Sequence, residues 1–267
     1  MKLRGEKLNQ FMKCSINTNI GIVRNENQDR GIIIENEKWT LAMLCDGMGG
    51  HFGGSKCADL TISLLSRHFH KSFPKDIAFD DKNGINAWFN AALVFVKENL
   101  IKFANKNPEF KNMGTTLTAC LIFNANKTIY VFNVGDSRTY VYNGLLHQVT
   151  TDQNLLNQLI SQNILDFDMA IKHPDANKLV SCIGPSTIIK YDNFIIRSEC
   201  DVRYVLLSSD GLHDYVDKPV IEQVIQDEKK SLDEKTKLLI EYAKRNLSKD
   251  NITIMIVELN NDKKRVK

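Results

Sequence analysis

Three aspartates stand at the ends of apolar runs. Asp46 follows the run 39–45 and leads into Gly47-Met48-Gly49-Gly50; Asp210-Gly211 follows 205–209; Asp250-Asn251 precedes 252–259. Apolar runs of this length read as buried strands. Glycine permits tight turns and close backbone approach to a ligand. A carboxylate leaving a strand into such a turn, with the next carbonyl beside it, suits a hard cation, which takes oxygen ligands. Taken singly, an Asp-Gly pair is more often a plain turn between a strand and a helix. Three repeats of the design are harder to dismiss.

Two further segments carry chemistry-bearing residues. Arg24 and Asp29 flank the polar loop Asn25-Glu26-Asn27-Gln28. A strand at 31–35 pairs with 39–45 through a turn at Asn36, which puts that loop at the same sheet end as Asp46. A guanidinium matches phosphate bidentately, whereas a lone surface Arg is solvated or paired with a neighbour such as Glu26. In Val134-Gly135-Asp136-Ser137-Arg138 the acid either joins the site or is stapled to Arg138 in a tight turn. Cysteine-based phosphate chemistry is excluded by spacing. The pattern C-x5-R needs Arg six places after a cysteine, and those places hold Ile20, His51, Ser63, Asn126, Ile188 and Leu206. A GxxxxGK[ST] loop is absent, which argues against an NTPase.

The elements that must position these residues read as antiparallel strands and grouped helices. Helical spacing runs through Ala58, Ile62, Leu65 and Phe69, then through Trp88, Ala92, Phe95, Val96 and Leu100. Strands follow at 116–123, 127–133, 138–142 and 145–149, with Asn143-Gly144 as a hairpin turn. Residues 151–161 read as a helix and 162–177 as a polar, irregular lid or substrate-facing insertion. Strands at 179–183 and 191–197 and helices at 219–226 and 232–246 complete the pattern. His68 and His70 have no matched partners and read as structural or exposed. Strands in runs and helices in blocks, with no linker and no repeat, argue one α+β domain over 13–260. Residues 1–12 read as an extension and 261–267 as a charged tail.

Composition bounds the function. The 267 residues are 43% hydrophobic, enough for a sizeable core. A net charge of +3 with both signs interspersed is not a nucleic-acid footprint. The six cysteines are scattered without a CxxC pair, so zinc and redox motifs give way to free thiols in a reducing cytosol. Neither an apolar run of about 18 residues nor a signal peptide is visible, so the expectation is a cytoplasmic protein with no membrane contact.

Six motifs in order along the chain resemble one family. They are Arg24…Asn27-Gln28-Asp29, Asp46-Gly47-Met48-Gly49-Gly50-His51, Gly114-Thr115-Thr116, Val134-Gly135-Asp136-Ser137-Arg138, Ser209-Asp210-Gly211 and Asp250-Asn251. Together they resemble the metal-dependent serine/threonine phosphatases (PPM, or type 2C), in wording the compact bacterial branch. The resemblance implies a four-layer sandwich, with two central antiparallel β-sheets flanked by pairs of antiparallel helices and metals at one edge. It implies that Asp46 bridges two divalent ions, that the Gly47 carbonyl ligates one, and that Asp210 and Asp250 complete the pair. Asp29 would hold a metal-bound water. Asp136, with Asp210, would hold a weaker third ion. Arg24 would grip the substrate phosphate, and 162–177 would be the mobile flap. Two departures stand out. Met48 occupies the place of the histidine proposed as general acid in eukaryotic relatives, a role that passes here to a metal-bound water. Gln153 stands where many relatives have histidine; His51 receives no role.

Phosphate-ester chemistry fits such a site. Enzymes accelerate monoester hydrolysis by up to about 10²¹, or about 29 kcal/mol at ~1.36 kcal/mol per decade. General acid–base catalysis offers only about 10²–10⁴. Two metal ions about 3.5–4 Å apart generate hydroxide and stabilise charge in an in-line displacement. An all-oxygen donor set favours Mn²⁺ or Mg²⁺ over zinc. The expected protein is therefore a monomeric phosphoprotein phosphatase, attacking phosphoserine and phosphothreonine directly with a metal-bridging water and no phosphoenzyme. Its partners would be phosphorylated proteins and a counterpart Ser/Thr protein kinase. The alternatives are a catalytically inactive phosphatase-like scaffold, disfavoured by retention of Asp46, Asp210, Asp250 and Arg24, and a small phosphate-ester hydrolase with the same metal centre.

Overall fold

The computed structural model describes residues 12–49 and 53–259; the terminal extension to residue 11, His51 and the charged tail lie outside the described residues. The strands are Lys13–Asn19 (β1), Arg30–Glu35 (β2), Trp39–Cys45 (β3), Gly47–Met48 (β4), Gly114–Thr115 (β5), Leu117–Phe123 (β6), Ile129–Val134 (β7), Arg138–Tyr142 (β8), Leu146–Gln148 (β9), Asp192–Ile196 (β10), Tyr204–Ser208 (β11) and Ile252–Glu258 (β12). The α-helices are Gly53–Ser72 (α1), Lys82–Lys106 (α2), Leu155–Ser161 (α3), Phe167–Ala170 (α4), Asp210–His213 (α5), Lys218–Gln226 (α6) and Leu232–Arg245 (α7).

The strands form two five-stranded antiparallel sheets, ordered β1-β12-β11-β8-β9 and β10-β7-β6-β3-β2, with β4 and β5 as a small ribbon. Side-chain alternation shows why they stack. In β3, Trp39, Leu41, Met43 and Cys45 face a core shared with α1 and α2, while Ala42 and Leu44 face a second core between the sheets. In β12, Ile252, Ile254 and Ile256 face a third core beneath α6 and α7, while Met255 and Val257 face the inter-sheet core. Strands covered on both faces read as unbroken apolar runs, and the period of two assigns each residue to its layer. The result is the expected α+β architecture of two central sheets between helix layers. Among the described residues, no helix is long and apolar enough to cross a membrane.

Three links carry the chain between the sheets at the same end of the sandwich: 20–29 between β1 and β2, Gly135-Asp136-Ser137 between β7 and β8, and 149–191 between β9 and β10. Asp46, Asp210 and Asp250 leave or enter their strands at that end, so topology gathers the acids there.

Several local expectations are corrected. Residues 151–153 are not helical: α3 begins at Leu155, and Asn154 caps it by accepting from the Asn157 N–H (3.0 Å). Residues 179–183 make only isolated bridges, Leu179 with Asn154 and Ile183 with Thr115. The segment 162–177 contains α4, and it exposes Ile164, Phe167, Met169 and Ile171 rather than a plainly polar surface. Arg138 is not stapled to Asp136; it bonds both carboxylate oxygens of Asp152. Met12, grouped with the extension by sequence, is buried in the inter-sheet core.

Candidate metal centre

Asp46 leaves β3 with its backbone fully bonded. Its N–H donates to Thr116 Oγ1 (2.9 Å), and its carbonyl accepts from the Thr116 N–H (2.8 Å) and Thr115 Oγ1 (2.9 Å). Thr116 Oγ1 also shares a 2.7 Å hydrogen bond with Ser137 Oγ, which joins the Asp46 and Asp136 turns. Gly47 packs so closely that a Cβ there would lie 2.4 Å from the Gly54 carbonyl oxygen and 2.8 Å from that of Gln28.

Asp29 is 2% exposed, and its Oδ2 accepts from Ser209 Oγ (2.8 Å). The Ser209 hydroxyl in turn accepts from the Thr253 N–H (3.0 Å). Asn251 fastens the 20–29 link: its Nδ2 donates to the carbonyls of Ile20 and Glu26 (2.9 Å each), and its Oδ1 accepts from the Gln28 N–H (2.8 Å). The sequence named Asn251 but assigned it no role, and the amide beside an acid at a strand start was its only signal.

These supports bring Arg24, Asp46, Gly47, Asp136, Asp210 and Asp250 onto the wall of one cavity of about 390 Å³. Asp29 stands behind them, bonded to Ser209. A second cavity of about 360 Å³ shares Asp136 and Asp210 and adds His213 and Asp214, which sequence reasoning missed. His213 is buried with Nδ1 2.9 Å from Ser208 Oγ. Burial, then the Arg138 charge, pushes its pKa well down, so the ring is neutral.

The acids feel one another. Burial, then the charges of Asp29, Asp210, Asp136 and Asp250, drives the Asp46 carboxyl well above the usual range. Burial, then Asp136 and Asp250, pushes Asp210 up to about 7. Burial, then Asp152, pushes Asp136 up to about 6. Burial pushes Asp29 up to about 6 against the hydrogen bonds it accepts. Such crowding of like charges in a desolvated cavity is costly unless a cation offsets it.

Arg24 supplies one positive charge: its Nη2 donates to Asp250 Oδ2 (2.6 Å), and that bond raises the guanidinium pKa further. Among the described residues, no group of three His, Cys, Asp or Glu side chains is already gathered to hold an ion. The acids share a cavity, with Asp250 turned to Arg24. The donor set nonetheless fits a divalent cation. Among the described residues, Asp29 Oδ1 and Asp210 Oδ1 are buried without a hydrogen-bond partner, and hard carboxylate and carbonyl oxygens suit Mn²⁺ or Mg²⁺.

A double antiparallel sandwich with carboxylates converging at one end defines the class. The protein phosphatase 2C family model matches residues 23–249, and the chain belongs to that family. It is 30% identical to the serine/threonine phosphatase stp of Listeria innocua, over 93% of this chain and 96% of that one. The crystal structure of the serine/threonine phosphatase Stp1 from Staphylococcus aureus superposes with a TM-score of 0.82 at 30% identity, covering 98% of this chain and all of that one. The catalytic domain of the phosphatase PstP, solved in complex with two manganese ions, matches with a TM-score of 0.71 at 26% identity, over 93% of this chain and 98% of that one.

Proposed function

We infer that this chain is a metal-dependent protein phosphatase that hydrolyses phosphoserine and phosphothreonine in proteins. The observation that carries the reading is the cavity itself. Asp46, Asp136, Asp210, Asp250 and Arg24 come from both sheets to line it, in a chain whose relatives bear that activity in their names.

Asp46, Asp210, Asp250 and the Gly47 carbonyl would hold two ions, Mn²⁺ or Mg²⁺, with Asp29 behind them and Asp136 with Asp210 at a weaker third. The manganese pair of PstP supports the count. When bound, such ions lower the pKa of water and offset the charge that develops on the phosphoryl oxygens. The protein's own residues do the rest. Arg24, with its side chain half exposed and one Nη donor committed to Asp250, keeps further N–H donors for the ester's phosphate oxygens. Asp29 takes up a hydrogen bond from Ser209 on Oδ2, and its Oδ1, without a hydrogen-bond partner among the described residues, would accept a proton or orient a donor. Met48, on the cavity wall, has no proton to give, so the leaving alkoxide draws its proton from water.

Residues 13–260 would constitute the catalytic unit, with 162–177 as its flap; the match over 23–249 supports that extent. Free thiols at Cys45, Cys57 and Cys120 favour a reducing cytosol, where a Ser/Thr kinase would supply phosphoproteins to a monomeric enzyme. The test is phosphate release from a phosphothreonine peptide with Mn²⁺ and with chelator. Mn²⁺-dependent turnover that exceeds turnover of small phosphate esters is expected; no release at saturating Mn²⁺ would instead identify a scaffold.

A further inference from the structure

Gly135 has both backbone groups taken by residues outside its turn. Its N–H donates to Gln153 Oε1 (2.8 Å). Its carbonyl accepts from the Gln153 N–H (3.0 Å) and from Asn133 Nδ2 (3.0 Å). The residue sits at φ +99°, and a Cβ there would lie 2.7 Å from Thr116 Cγ2, so only glycine fits. Asp136 comes next, followed by Ser137, whose hydroxyl is bonded to Thr116. The Asp136 turn is thus held by Gln153 on one side and by Thr116 on the other.

Gln153 reaches in two other directions. Its Nε2 donates to Asp192 Oδ2 (2.8 Å) at the start of the edge strand β10. Its carbonyl accepts from the Val180 N–H (2.9 Å). Just beyond, the Leu155 N–H bonds the Lys178 carbonyl, the Leu156 N–H bonds the Ala176 carbonyl, and Asn154 bridges Leu179. These contacts close the base of the segment that holds α3 and α4, and Leu179 itself lines the acid cavity. One residue therefore ties together the Asp136 turn, the sheet edge and the base of that segment.

We propose that Gln153 is a positioning residue that sets the Asp136 carboxylate opposite Asp210 and links its station to the base of the 154–180 segment. The proposal rests on the metal-dependent reading of the cavity. Its chemistry is specific. The side chain offers one acceptor, used on Gly135, and one donor, used on Asp192. Neutral histidine offers the same pair, whereas glutamate offers acceptors only and would set a carboxylate against Asp192.

The test compares Gln153→Ala, Gln153→Glu, Gln153→His and the double variant Gln153→Glu/Asp192→Asn, with Asp136→Ala as reference. Isothermal titration of the chelator-treated chain with Mn²⁺ isolates the binding component that Asp136→Ala removes. Gln153→Ala and Gln153→Glu are expected to weaken that component, and to lower kcat on a phosphothreonine peptide, by about tenfold, with KM and melting temperature near wild type. Gln153→His and the double variant are expected to return both within about twofold of wild type, since each restores an acceptor for Gly135 and a hydrogen bond at residue 192. Wild-type values in Gln153→Ala and Gln153→Glu overturn the proposal. So does a titration of the wild type with no Asp136-dependent component, or a loss shared by all four variants with a lowered melting temperature. If the wild type binds Mn²⁺ but releases no phosphate, the phosphatase reading falls and the titration alone decides the role of Gln153.

Discussion

Asp46 has its N–H and carbonyl bonded to Thr115 and Thr116, which fixes where its carboxylate stands. Asp46→Asn and Asp210→Asn each remove charge from the ligand set, and phosphate release should fall more than about a hundredfold. The same substitutions relieve crowding, so the chelated variants should melt at or above the wild-type temperature; residual turnover of a few per cent or more would remove these acids from the ion site. Arg24→Ala should raise KM for a phosphopeptide by roughly tenfold or more, the scale of a lost charge-assisted hydrogen bond. Its exposed pairing with Asp250 carries little stability, under about 1 kcal/mol, so an unchanged KM in steady-state kinetics would leave it without a function. The three strand-end acids were legible because each borders an apolar run. Their supports were not: Asn251 holds Ile20, Glu26 and Gln28 from more than two hundred residues away, and no local pattern encodes such a bond.

At the scale of elements, the Arg138–Asp152 pair ties the start of β8 to the stretch ahead of α3. Both side chains are largely buried, and the guanidinium makes bonds of 2.6 and 2.9 Å to the two carboxylate oxygens. Arg138→Ala leaves Asp152 buried and unpaired, which should cost about 3 kcal/mol or more in urea unfolding. A loss below about 1 kcal/mol would show that water already screens the pair. The ion pair was visible in sequence only as an Asp136–Arg138 staple, because short-range pairing is the default when the fold is unknown. The helix expected over 151–161 fails for a similar reason. Leu155, Leu156, Leu159 and Ile160 carry the helical spacing, but Asn154 caps the helix, and Gln153 is drawn into backbone bonds with Gly135 and Val180. By contrast, β3 and β8 fall where the apolar runs placed them, because burial on both faces leaves so strong a pattern.

At the scale of the molecule, the acid end makes stability depend on pH. Asp29 and Asp136 are pushed up to about 6 and Asp210 to about 7, against an ordinary value of 3.8. Each holds its proton more tightly folded than unfolded. The stability this contributes is complete below about pH 4 and is lost as pH rises through 6 to 7. The chelated protein should therefore melt at a lower temperature at pH 7.5 than at pH 5.5 in scanning calorimetry. Mn²⁺ should reverse that slope, because ligands must shed protons to bind. A melting temperature that climbs with pH in chelator would contradict the crowding.

The crossings between the sheets at the acid end have a mechanical corollary. Asp46 rides on one sheet and Asp210 on the other, so any sliding of the layers past each other changes the gap between them. An ion gripped by both would act as a rivet across the seam. Amide hydrogen exchange in β3 and β11 should then slow in concert when manganese is added, although neither strand would acquire a new backbone partner.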